Sequence, residues 1–173
     1  MPPRFWLLLG SIGAVRSHGK AESIRPASDD SPMIKLTRKL EFSAAHFYHN
    51  PKFSEEENRR IFGKCNNPHG HGHNYVLEVT VAGEPDPETG MILDLNELKE
   101  ILEREVMVRF DHRHLNRDVP ELADKIPTCE EIAAVLWRIL ESRIDPKIRD
   151  GRLDHIRLYE SPDLFVDCAR NGR

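Results

Sequence analysis

Two runs of strict alternation, each anchored on a histidine, most narrow what this chain can fold into. From Leu36 to His46 the even positions read Leu36, Arg38, Leu40, Phe42, Ala44 and His46. From His71 to Val81 the odd positions read His71, His73, Tyr75, Leu77, Val79 and Val81. Period-two alternation predicts half-buried strands with one face toward a core. A long polar segment, HNPKFSEEENRRIFGKCNNPHG, joins them and reads as a loop. Loops of that length in compact domains are usually functional or disordered.

The rest of the chain follows the same logic. GEPDPETG is a turn by its Pro, Asp and Gly content, and a short strand is expected at Met91 to Leu93. Asp94 opens a helix, with Glu97 completing a capping box and Leu95, Leu98, Ile101 and Leu102 on one face. A second helix opens at Thr128 with Glu131 in the matching position, carrying Ile132, Val135, Leu136, Ile139 and Leu140. Two strands close the chain, at about Leu153–Glu160 and Leu164–Ala169. The order ββααββ predicts an α+β fold, a four-stranded antiparallel sheet with two helices on one face. So small a sheet leaves edges that oligomerisation would cover.

With 173 residues the chain suits one domain with a real core. A net charge of −4 argues against a nucleic-acid partner held by general electrostatics. Three widely spaced cysteines, Cys65, Cys129 and Cys168, form no disulfide framework and fit a reducing compartment. Residues 1–32 differ in character. Phe5 to Val15 is apolar but too short to span a bilayer, and a polar stretch without a convincing cleavage site follows. The expectation is a working start at Met33, a domain over 33–173, residues 1–32 as a disordered extension or misassigned start, and a cytoplasmic protein away from membranes.

Histidine is the compositional outlier: five of nine lie between His46 and His73. His71 and His73, two apart on a strand, project from one face. His46 ends the preceding strand on its apolar face. An antiparallel pairing brings the three imidazoles together, a donor set suited to a catalytic Zn²⁺ with an open fourth position. His69 offers an alternative pair with His71 and His49 is a spare, but the register favours 71 and 73 because His69 follows Pro68 in the loop. Satisfied polar histidines at a strand start are the plainer alternative.

Cys65 lies just before these histidines, where Lys64 and a nearby cation would lower its pKa and free a thiolate. Asp111 and His112 form a proton-relay pair only if a turn lets adjacent side chains face each other; His114 has the same residue type without that neighbour. Glu160 continues the inward face of Ile156 and Leu158, and is either a buried carboxylate that a ring with two adjacent N–H donors would satisfy or a strand-end Glu facing solvent. Glu130, beside the capping Thr128, is either a ligand contact or a charge favouring the helix dipole.

Together these stretches resemble the 6-pyruvoyl-tetrahydropterin synthase family: FSAAH (42–46), EENRRIFGKCNNPHGHGHNY (56–75), GEPDPETGMILDLNELK (83–99), FDHRHLN (110–116), PTCEEIA (127–133) and LYES (158–161). The resemblance implies a tunnelling fold, with trimers stacked in pairs into a homohexamer and active sites between subunits. It implies His46, His71 and His73 as zinc ligands, Cys65, Asp111 and His112 as catalytic groups, and Glu160, Glu130 and Thr128 as contacts to a pterin. The implied substrate is 7,8-dihydroneopterin triphosphate and the product 6-pyruvoyl-tetrahydropterin. A sister branch makes 6-carboxy-tetrahydropterin and acetaldehyde from the same substrate, usually with its cysteine closer to the His-x-His. The five residues between Cys65 and His71 favour the pyruvoyl branch. A zinc-binding module without catalysis is the rival of a different class.

Overall fold

A computed structural model describes residues 33–170; residues 1–32, with the expected extension, and 171–173 lie outside the described residues. Strand β1 (Ile34–His46) pairs antiparallel with β2 (His71–Gly83) along their whole length, from Ile34 opposite Gly83 to His46 opposite His71. Phe42, Ala44 and His46 are buried on β1, as are Tyr75, Leu77, Val79 and Val81 on β2. The alternation therefore sorts the side chains as expected.

The connection between these strands is not structureless. Helix α1 (Glu55–Phe62) occupies it, followed by a 3-10 turn at Gly63–Cys65. Ser54 accepts from the Glu57 N–H, and the Glu57 carboxylate accepts from the Ser54 N–H, closing a capping box. The S-x-x-E signature was there to be read, but α1 buries only Asn58 and so carries no apolar stripe. The Asn58 amide organises the segment, donating to the carbonyls of Asn50, Phe53 and Ser54.

Helix α2 (Leu95–Leu102) starts at Asp94, which accepts from the Asn96 N–H at 2.8 Å. The capping box expected there does not close, because Glu97 reaches Lys147 at 2.6 Å instead. Leu95 is exposed rather than on the buried face, and Met91–Leu93 joins no strand of the sheet. α2 runs on through a π turn (Glu103–Met107) into α3 (Val108–Phe110). The turn absorbs a slip in the pattern. Regular spacing from Leu98, Ile101 and Leu102 leads to Glu105, yet the apolar side chains buried next are Val106 and Phe110. Glu105, at the slip, is buried among Arg104 (2.9 Å), Arg109 (3.1 Å) and Arg143 (3.3 Å). Burial raises its pKa, and the arginine hydrogen bonds and charges outweigh that and hold it low.

A two-residue strand, β3 (Arg113–His114), then lies parallel to β1, with Arg113 opposite Ala44. The short helix α4 (Leu115–Asp118) follows, and α5 (Cys129–Ile144) opens where Thr128 accepts from the Glu131 N–H. Glu131 pairs with Lys125 instead of returning to the cap. Strands β4 (Gly151–Ser161) and β5 (Leu164–Ala169) complete a five-stranded sheet, one strand more than expected, in the order β3-β1-β2-β4-β5. Two residues pairing along one edge are too short to show as alternation. Leu98 and Ile101 of α2 and Ile132, Leu136 and Leu140 of α5 are buried in one core with Leu77, Val79, Ile156 and Leu158 of the sheet. Each fully buried aliphatic contributes about 1.5–3 kcal/mol.

Candidate metal centre and its surroundings

The pairing of β1 with β2 sets His46 opposite His71, and one pleat further His73 shares their face. One ring nitrogen from each of the three lies within 4.8 Å of the others, the one such His, Cys, Asp or Glu cluster among the described residues. The His46 and His71 Nε2 atoms are 3.1 Å apart. His46 is fully buried, and its Nδ1 lies 2.9 Å from the Pro127 carbonyl, an acceptor only, so Nδ1 carries the proton and Nε2 presents a lone pair. The Tyr75 hydroxyl approaches the same Nδ1 at 3.1 Å. Burial pushes His46 down to about 4, with His71 and His73 adding to the fall and the Pro127 carbonyl opposing it. His71 and His73 are lowered as well, burial being the main cause. The cluster is therefore neutral at physiological pH, as imidazole ligands must be.

Two observations fit this cluster to a metal. His71 Nδ1 and His73 Nε2 are buried with no hydrogen-bond partner, a cost normally avoided. The donors are all imidazole nitrogens with no fourth protein ligand in the group, the composition of an open zinc site. His69 and His49 stand outside it. His69 donates its backbone N–H to Asn67, and His49 lines a separate cleft with Glu55 and Arg59.

Glu160 faces the cluster from β4. It sits where the β4–β5 register shifts between Tyr159 and Ser161, a bulge of the kind that re-aims a side chain beside a site. Its Oε1 is 3.7 Å from His73 Nε2, and its Oε2 is buried and unpartnered. Burial raises its pKa, with His71 opposing, Glu130 adding to the rise and the Tyr48 hydroxyl favouring the charged form. A carboxylate held this way is poised for a donor-bearing ligand. Glu130 is exposed on the first turn of α5, and the Thr128 hydroxyl is engaged as that helix's cap.

Cys65 ends the 3-10 turn after α1, half-buried. Burial and the Glu160 charge both push its thiol up, the reverse of the direction expected from Lys64. Asp111 and His112 meet as the sequence required, through a turn: His112 has φ +55°, and its Nδ1 lies 2.7 Å from Asp111 Oδ2. Asp111 Oδ1 accepts from the Ser43 N–H at 2.8 Å, and the His112 N–H donates to the Ser43 carbonyl at 2.6 Å. That first hydrogen bond holds the Asp111 carboxyl below its ordinary range. The pair thus hangs on the outer edge of β1. His112 is 82% exposed, and no hydrogen bond or ion pair among the described residues joins the pair to the three clustered histidines. His112 lines an open cavity with Ser43, Ala44, Ala45, Gly72 and Asn74, and His73 of the cluster lines the same cavity. His114 lines it too, with both ring nitrogens buried and unpartnered.

The sequence reading missed three supporting groups. The Pro127 carbonyl is a backbone atom 81 residues from His46 and leaves no signal. Tyr75 counts as a core position in the alternation, which hides its hydroxyl. Tyr48 lies two residues beyond the strand pattern, its ring edge-on to His46 at 5.0 Å.

A family model described as 6-pyruvoyl tetrahydropterin synthase matches residues 35–171. The 6-pyruvoyl tetrahydrobiopterin synthase of Poecilia reticulata is 49% identical over 102 residues, 59% of this chain and 69% of that protein. The Homo sapiens protein of the same name is 42% identical over 132 residues, 76% of this chain and 88% of its own. Among solved structures, the Caenorhabditis elegans 6-pyruvoyl tetrahydropterin synthase superposes with a TM-score of 0.74 at 37% identity, over 81% of this chain and 97% of that one. Among the described residues, no helix is long and apolar enough to cross a membrane.

Proposed function

The chain belongs to the 6-pyruvoyl tetrahydropterin synthase family, and from that membership we propose that it converts 7,8-dihydroneopterin triphosphate to 6-pyruvoyl-tetrahydropterin and triphosphate, as a zinc-dependent lyase. The observation that carries the reading is the neutral three-histidine cluster with the unpartnered carboxylate of Glu160 beside it. Relatives named for the pyruvoyl product, at 42% and 49% identity, favour it over the 6-carboxy alternative.

His46, His71 and His73 would hold the metal. Zinc, when bound, supplies Lewis acidity toward the oxygens of the substrate side chain. Glu160 anchors the aminopyrimidinone ring by accepting from the ring's two adjacent N–H donors, with Thr128 and Glu130 as further contacts to the pterin. Cys65 removes a carbon-bound proton. In the substrate-free site, burial and Glu160 push its thiol up. A ring that pairs with Glu160 offsets the second of these influences, so binding and activation of the thiol are linked. Asp111 and His112 move protons on oxygen, the carboxylate supporting the imidazolium form. Triphosphate leaves, and the two electrons given up by the side-chain carbons reduce the dihydropterin ring, so no outside reductant is needed.

The exposed position of Asp111–His112 on the edge of β1 supports a site completed between subunits of a homohexamer, with Cys65 and the pair supplied by different chains. Three free cysteines support a cytoplasmic setting.

The test is mass spectrometry of anaerobic products from zinc-loaded protein and 7,8-dihydroneopterin triphosphate. A pyruvoyl pterin with free triphosphate is expected. A carboxy pterin with acetaldehyde would move the chain to the sister activity. Untouched substrate, with zinc verified in the protein, would overturn the catalytic reading.

A further inference from the structure

Tyr48 touches both His46 and the cysteine turn from a position that the proposed chemistry leaves unused. Its N–H donates to the Cys65 carbonyl at 2.8 Å, and its own carbonyl accepts from the Asn66 side chain at 2.7 Å. The backbone just beyond β1 is thus tied to both residues at the end of the cysteine turn. On the other side, Phe47 is held by the Asn116 side chain, which accepts from its N–H and donates to its carbonyl, both at 2.9 Å. The segment is fixed from two directions, so the Tyr48 side chain has a defined place.

That place is a wedge. One side of the ring meets the buried imidazole of His46 edge-on, with centroids 5.0 Å apart. Another meets Phe62, the last residue of α1 before the turn, at 5.9 Å. The ring therefore fills the space between the histidine cluster and the end of the helix that delivers Cys65.

We propose that Tyr48 is a positioning residue for the reaction, its ring setting the approach of Cys65 to the histidine cluster. The proposal rests on the pterin synthase reading. The aromatic body acts through the thiol, so it belongs to the proton-abstraction step. A displacement of about 1 Å at a reacting group costs on the order of a hundredfold in rate.

Two variants of the zinc-loaded full chain test this. Tyr48→Phe keeps the ring and is expected to retain most of the wild-type kcat, the rescue a role for the ring requires. Tyr48→Ala is expected to lower kcat on the order of a hundredfold with zinc stoichiometry intact. Alkylation of Cys65 by iodoacetamide, followed by peptide mass in substrate-free protein, is expected to quicken severalfold in Tyr48→Ala and not in Tyr48→Phe. Wild-type kcat and alkylation in Tyr48→Ala would overturn the proposal. So would a fall in kcat that only tracks lost zinc and a lowered Tm, since that marks packing alone. If the wild-type protein holds zinc and turns nothing over, the pterin reading fails, and the alkylation rates still decide whether Tyr48 places Cys65.

Discussion

His46 differs from its two companions in how completely its surroundings specify it. It is fully buried, its Nδ1 proton is committed to the Pro127 carbonyl, and the Tyr75 hydroxyl lies against the same nitrogen. Such outer contacts fix ring orientation and tautomer, and their loss typically weakens metal affinity about 10–100-fold. Tyr75→Phe is expected to lower zinc affinity toward the small end of that range while leaving the fold intact, as read by competition with a chromogenic chelator. His71→Ala should abolish stoichiometric zinc outright. An unchanged affinity in Tyr75→Phe would mean that Pro127 alone sets the tautomer. The clustering of the three histidines was legible because strand parity is a one-dimensional property. The partners of His46 were not, since one is a backbone carbonyl and the other resembles a core aromatic.

At the scale of elements, the long β strands and the two main helices could be read because each repeats its pattern over several residues. What escaped was short or unpatterned: the two-residue β3, α1 with its single buried asparagine, and the π turn. The Asp111–His112 pair depends on these last pieces, since the π turn re-phases the helix and β3 holds the chain against β1. Asp111→Asn removes the carboxylate that accepts from both Ser43 and His112 and is expected to lower kcat on the order of a hundredfold with zinc unchanged. Equal loss of zinc would instead mark a collapse of the β1 edge. The β4–β5 pair carries its own charge clamp, Arg157 holding Asp167 through bonds of 2.6 and 2.9 Å. The Arg157 hydrogen bonds, with His155 helping, hold the Asp167 carboxyl at about 2, below its ordinary 3.8. A depressed carboxylate contributes stability that is complete above its unfolded pKa and lost as pH falls through the folded value. Asp167 is 41% exposed, so solvent screens the gain and the effect is small. Urea midpoints should therefore fall less in Asp167→Asn than in the wild type between about pH 5 and pH 2. Parallel curves would show that the clamp adds nothing.

For the whole molecule, the decisive question is whether one chain holds a complete site. The three histidines and Glu160 gather at one end of the sheet, while His112 stands exposed on the β1 edge in an open cavity lined by His73 as well as Ser43, Ala45, Gly72 and Asn74. The ββααββ order could be read from patterning, but this division could not, because parity says which face a residue takes and not which copy of the chain it serves. If the site forms between subunits, two inactive variants complement each other. Cys65→Ala subunits keep a working Asp111–His112 pair, and Asp111→Asn subunits keep a working thiol. In a randomly mixed oligomer made from equal amounts, each interface draws its thiol and its relay pair independently from the two kinds of subunit. About a quarter of the interfaces then regain both groups, and co-refolded protein should recover roughly that share of wild-type kcat. If one chain supplied all three groups, no mixture would contain a complete site, and activity would stay at the level of the separate variants. Mixing the folded variants without unfolding them should restore nothing at first, since recovery waits on subunit exchange. The size and timing of the recovery therefore report on both the sharing of the site and the lifetime of the assembly.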